Sequence, residues 1–151
     1  MSPSRQELVD QLGLAMQRYQ RSTQAFDDAV GRALTLNPTD VRCLDWLVDG
    51  PKSAGELMRG TGLSSAATTT LIDRLERKGY VQRVRDPADR RRVMVEMTAW
   101  GGQQVGRFYG PIVQEGSGLL AGVTNAELER LTKWLVDARE LTDRHRDRIR
   151  D

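Results

Sequence analysis

Thirty consecutive residues, Arg5 to Leu34, contain no proline and carry apolar side chains at helical spacing. Leu8, Leu12, Ala15, Tyr19, Phe26 and Val30 advance by threes and fours or their sums, so one stripe of a single helix holds them all. A helix that long, with so narrow a seam, exceeds what a small core can cover. Either it is a core helix, or it also packs on a second chain, and the second expectation is the sharper one.

The chain has 151 residues, enough for one domain with extensions and a sizeable core, so metal or disulfide staples are unnecessary. A single cysteine, Cys43, excludes an intrachain disulfide, and with one histidine beside it a His/Cys metal site is not expected. No apolar run approaches the ~18 residues of a membrane span. The opening MSPSRQELVDQ lacks the apolar region of a signal peptide. The expectation is a cytoplasmic protein without metal, cofactor or membrane partner.

Beyond Leu34 the signals come closely spaced. Asn37-Pro38-Thr39 breaks the first helix and starts a second, filled by Val41, Leu44, Trp46, Leu47 and Val48 and stopped at Asp49-Gly50-Pro51. Ser53 and Glu56 have the spacing of a capping box, in which hydroxyl and carboxylate each satisfy a free backbone N–H. Gly62-Leu63-Ser64 closes that short helix and caps another, over about Ser65 to Lys78. The period then changes. Tyr80–Arg85 and Arg92–Met97 are short, rich in branched residues and separated by Asp86-Pro87-Ala88-Asp89, which predicts a hairpin with a charged tip. Thr98 is read as the cap of a glycine-rich segment carrying Pro111, expected to form a bent helix. Thr124 and Glu127 form a last capping box, opening a helix with Leu128, Leu131, Leu135, Ala138, His145 and Ile149 on one stripe.

Helix, tight glycine turn, helix, then basic hairpin is the order of a winged helix-turn-helix. The fold expected is mainly α with a small β-hairpin wing. The helical regions 1–36 and 99–151 would form a dimerisation region, and 37–98 a DNA-binding lobe. The second helix of such a lobe enters a major groove, so its leading exposed residues should be small or hydrogen-bonding. Ser64, Ser65, Ala66, Thr69 and Thr70 satisfy that requirement, and Arg74 and Arg77 farther along suit phosphates. The hairpin supplies Arg83, Arg85, Arg90, Arg91 and Arg92, long cations on a narrow ribbon suited to the minor groove and backbone. Asp89 is expected to pair with a neighbouring arginine and hold the tip rigid. Net charge is only +2 overall, yet Lys52 to Thr98 holds ten basic and six acidic residues, a local +4.

These residues resemble the MarR family of bacterial transcription regulators. The matching stretches are GPKSAGEL, GLSSAATTTLIDRLERKGYV and DPADRRRVMVEMTAWG, correctly spaced over about a third of the chain. The resemblance implies a homodimer built from the terminal helices and a palindromic double-stranded DNA site. It also implies a recognition helix beginning near Ser65 and a wing-tip pair of Asp89 and Arg91, with Arg91 entering the minor groove. Thr70 departs from the family, where arginine is frequent at that position. Family members often bind small aromatic or phenolic effectors, for which Tyr19, Trp46 and Phe108, with Phe26 and Tyr109, are candidate cleft residues; the same residues also fit plain core positions.

Other readings are simpler. Cys43 has no resolving partner and suits a small buried apolar site better than a redox sensor. His145 reads as a satisfied interface histidine. No nucleophile elbow, metal pair or phosphate loop accompanies the serines and threonines, so catalysis is not expected. The alternatives to DNA reading are a winged-helix module that docks on a protein partner and, more weakly, one that binds RNA.

Overall fold

The computed structural model describes residues 3–150. Its elements are α1 (Arg5–Leu34), α2 (Pro38–Trp46), β1 (Lys52–Ser53), α3 (Ala54–Thr61), α4 (Ser65–Arg77), β2 (Val81–Arg85), β3 (Val93–Met97), α5 (Ala99–Leu119) and α6 (Asn125–Arg150). They fall into two compact units, one running through Tyr109 and the other from Gly110 onward. Among the described residues no helix is long and apolar enough to cross a membrane.

Four helices open on reciprocal caps. The hydroxyls of Ser4, Ser53 and Thr124 accept the N–H groups of Glu7, Glu56 and Glu127, whose carboxylates accept the N–H of each capping residue in return. Those backbone donors hold all three carboxyls below their ordinary pKa. Asn37 and Asp40 form the fourth pair at the start of α2. Between α3 and α4 the turn is set by Gly62, whose φ of 74° lies in the left-handed region that a side chain disfavours. Two residues on, Ser64 caps α4 by accepting the Ala67 N–H.

The expected hairpin forms, with Val81 opposite Met97 and Arg85 opposite Val93. It is not a bare hairpin. Lys52 and Ser53 add a third antiparallel strand on β3, in the order β1-β3-β2. Cys43, Leu44, Leu47, Leu57, Leu71, Ile72, Leu75, Tyr80, Val81 and Val95 close a core between α2, α3, α4 and this sheet. Trp46 and Val48, expected to fill α2, are exposed instead. The helix ends at Trp46 with Leu47 as its cap, and Gly50 lies in the turn beyond rather than closing it.

Cys43 is fully buried, and burial, followed by the Asp40 charge three residues away, pushes its thiol up to about 12. Native protein at pH 8 is therefore expected to resist iodoacetamide and to react after unfolding in guanidinium. Rapid labelling of the native chain would contradict the core assignment.

α5 runs without interruption through Pro111. Its start is keyed to the base of the wing. The Thr98 hydroxyl donates to the Gly79 carbonyl at 2.6 Å and accepts the Gly101 N–H at 2.9 Å. Gly101 is buried against Tyr80, where a Cβ would overlap the carbonyl oxygen and lie 2.9 Å from the Cα. On α1 the stripe is covered only at its end: Val30 is buried, Phe26 meets Tyr109 edge-on at 5.3 Å, and Leu8, Leu12 and Tyr19 are exposed. On α6 the stripe residues Leu131, Leu135, His145 and Ile149 are likewise exposed.

Candidate nucleic-acid interface

The exposed face of α4 carries Ser65, Ala66, Thr69, Thr70, Asp73, Glu76 and Arg77, while Thr68, Leu71, Ile72 and Leu75 face the core. The hydroxyls of this face are partly committed. Thr69 Oγ1 donates to the Ser65 carbonyl at 3.2 Å and Thr70 Oγ1 to the Ala66 carbonyl at 3.1 Å. Back-bonding of this kind is the usual refuge of a threonine hydroxyl inside a helix.

Arg74 does not point outward as a free phosphate ligand. Its Nε and Nη2 donate to Asp40 Oδ1 at 3.1 and 2.6 Å. Asp40 is almost completely buried, and its other oxygen accepts the Asn37 N–H at the start of α2. A buried carboxylate needs such partners, so the guanidinium is drawn toward Asp40, with 31% of the side chain left exposed. Lys78, just past the helix, donates from Nζ to the Thr35 carbonyl at 2.7 Å. Recognition helix and α1–α2 junction are thus tied at two points.

Arg83 is similarly engaged. From β2 it reaches across to α4, donating to Asp73 at 2.6 Å and to Glu76. The hydrogen bond to Asp73 comes first among the contacts that raise its pKa. Arg83 thus offsets one of the two negative charges that Asp73 and Glu76 bring to the exposed face of α4.

At the wing tip, Asp89 carries out a different task from the one expected. Its carboxylate accepts the Arg91 N–H at 3.0 Å, and its carbonyl accepts the Arg92 N–H at 2.9 Å, so it folds a tight turn with Arg90 and Arg91 at the apex. The ion pair of this loop is Arg92 with Asp86, at 3.8 Å. Arg85 donates to the Arg90 carbonyl at 3.2 Å and buttresses the apex. Among the described residues of the protomer, Arg90 and Arg91 meet no carboxylate at ion-pair distance. Of the ten cations counted in the lobe, these are the two that a tight turn pushes outward together.

Of the aromatic candidates for an effector cleft, Phe26 and Tyr109 meet, while Tyr19, Trp46 and Phe108 stand apart within the protomer. Tyr19 is exposed on α1, the Trp46 ring lies over Gly60 of α3, and Phe108 sits 5.9 Å beneath the Arg107 guanidinium. A cleft of about 230 Å³ is lined instead by Gln24, Asp27, Asp28, Pro38, Val41, Arg42, Asp45 and Tyr109. The Tyr109 hydroxyl donates to Asp27 at 2.6 Å. Burial, then the neighbouring Asp27 and Asp49, raise the Asp45 carboxyl above its ordinary value. Asp40, Asp73 and Glu76 are the residues that sequence reasoning missed. Their roles depend on partners 34, 10 and 7 positions away, which no local spacing announces.

A capped helix offered outward, a glycine turn before it and a cation-tipped hairpin beside it define a winged helix-turn-helix, the class built to read duplex DNA. Comparison with known proteins agrees. The MarR family model matches residues 34–92. The HTH-type transcriptional regulator YcgE of Bacillus subtilis is 34% identical over 148 residues, 97% of this chain and 96% of the relative. The HTH-type transcriptional repressor NicR of Pseudomonas putida is 30% identical over 121 residues, 80% of this chain and 76% of the relative. The structure of a MarR family protein from Bacillus stearothermophilus superposes with a TM-score of 0.65 at 20% identity, covering 93% of this chain and 99% of that one. The chain belongs to the MarR family and is a DNA-binding transcription regulator.

Proposed function

We propose that the protein acts in the cytoplasm as a homodimeric repressor on a palindromic operator. Each lobe sets α4 in a major groove through Ser64, Ser65, Ala66, Thr69 and Thr70, and the wing at backbone and minor groove through Arg85, Arg90 and Arg91. Asp89 shapes the wing turn, and Arg74 positions the recognition helix from behind. The observation that carries this reading is the apex of two uncompensated arginines beside a capped, small-residue helix face. Repression is proposed by similarity to NicR. The dimer rests on the half-exposed Leu8 and Leu12 of α1 and Leu131 and Leu135 of α6, apolar stripes that a second copy would cover.

Release by a small molecule belongs to the same reading, with the cleft beside Tyr109 as its place. Three carboxylates and the Arg42 guanidinium line that cleft, a net negative charge that repels an anion and admits an uncharged phenol. A neutral or cationic compound suits it better.

The test is binding of duplexes selected from a random library, followed by fluorescence anisotropy at increasing salt. Affinity is expected to fall on the order of 10³-fold between 50 and 200 mM salt, through counterion release. Sedimentation at micromolar concentration should give a dimer. Salt-insensitive or absent duplex binding would favour the protein-docking module, and a monomer would remove the palindrome.

A further inference from the structure

We infer that the recognition helix specifies A·T pairs by contact with thymine methyl groups; this rests on the DNA-binding reading above. In the major groove guanine is read by a bidentate arginine or lysine, adenine by asparagine or glutamine, and cytosine by a carboxylate. The exposed face of α4 ahead of Arg77 has neither an amide nor a free cation. Arg74, the single cation before that point, is held by the buried Asp40. Asp73 and Glu76 each give a carboxylate oxygen to Arg83, which competes for it with a cytosine amine.

The methyl groups remain. Ala66, Thr69 and Thr70 stand at i, i+3 and i+4, one above the other on the exposed face. Thr69 and Thr70 have already given their hydroxyl protons to the Ser65 and Ala66 carbonyls. They offer outward a methyl and oxygen lone pairs, not a donor. A patch of three methyls complements the one apolar group of the major groove, the thymine C5-methyl. Guanine O6 and N7 against the same patch would lose water and gain no donor. Ser65 keeps the one unpaired hydroxyl of the face and is left to bond an edge or a phosphate.

The experiment uses the operator obtained by selection. Thymines in the segment under α4 are replaced one at a time by deoxyuridine, which removes only the methyl. Guanines of the half-site are replaced by 7-deazaguanine, which removes the N7 acceptor. Two or three deoxyuridine positions per half-site should each weaken binding about fourfold, the effect of one buried methyl(ene) group. Flanking deoxyuridine and 7-deazaguanine should change affinity less than twofold. The Thr69→Ser and Thr70→Ser variants keep the hydroxyl and delete the protein methyl, and should shrink the thymine–uracil difference at their own positions. A tight, salt-dependent complex indifferent to deoxyuridine, or one that selects G·C under α4 and responds to 7-deazaguanine, overturns methyl reading and leaves the DNA-binding reading intact. Failure of the library to yield any bound duplex overturns both.

Discussion

Replacing Arg90 and Arg91 together by alanine is expected to weaken operator binding roughly 10- to 100-fold, with the folded lobe unchanged. The two residues sit at the apex of a turn whose hydrogen bonds come from Asp89 and from the Arg90 and Arg92 backbones, not from their own guanidiniums. The turn therefore survives their loss. What disappears is positive charge that no carboxylate of the wing offsets. The loss should be similar on specific and non-specific duplexes, and the slope of log affinity against log salt should flatten by about 2 per lobe. Anisotropy titrations at four salt concentrations measure both quantities. Unchanged affinity in the double variant would mean that the wing does not touch DNA. Arg83→Ala is the informative contrast. It removes one charge as well, but it also uncovers Asp73 and Glu76 on the recognition helix and loosens β2 from α4.

The largest stability effect is expected at Gly101. Alanine there sets a Cβ into the Tyr80 backbone, where the neighbouring atoms are main chain and cannot rotate away. The cost is on the order of 3 kcal/mol, the upper end of overpacking penalties, and corresponds to a melting temperature lower by roughly 6–12 °C. Because α5 would be prised from the wing base, the Thr98 bonds to Gly79 and Gly101 would suffer with it. Gly106, five residues on in the same helix, has open space around its missing Cβ in the protomer. Gly106→Ala should shift melting slightly upward, because alanine loses less backbone entropy in a helix. Two glycine-to-alanine changes in one helix with opposite signs separate packing from propensity. A Gly101→Ala protein that melts with the wild type would refute the close approach.

Local chemistry accounts for what was readable in the chain. Ser53 with Glu56 and Thr124 with Glu127 act across three residues, so their spacing alone places helix starts. Gly62 announces its turn because few side chains tolerate that backbone. The strand β1 was not legible. Two residues pair with Met94 and Val95 some forty positions away, and nothing in Lys52-Ser53 itself marks a strand. Arg74 shows the same limit at the site. An arginine on an exposed helix reads as a phosphate ligand until the fold brings a buried carboxylate beneath it. The aromatic residues meet a related limit: Tyr19, Trp46 and Phe108 stand at helical spacings, but which of them share a surface within the protomer depends on tertiary packing. Where Asp89 was expected to pair with a side chain, the backbone N–H groups of its own turn were nearer, and a short aspartate satisfies those first.

Asp40 divides its two oxygens between neighbours, one closing the first turn of α2 and one gripping Arg74 on α4. Neither helix can fray there without exposing an orphaned charge or an uncapped amide, so loosening at this joint is shared rather than local. Hydrogen exchange in the first turn of α2 and in the last turn of α4 is therefore expected to follow one cooperative opening. A shift of the junction at Thr35 would thus be passed to α4 through Asp40 and Lys78 together.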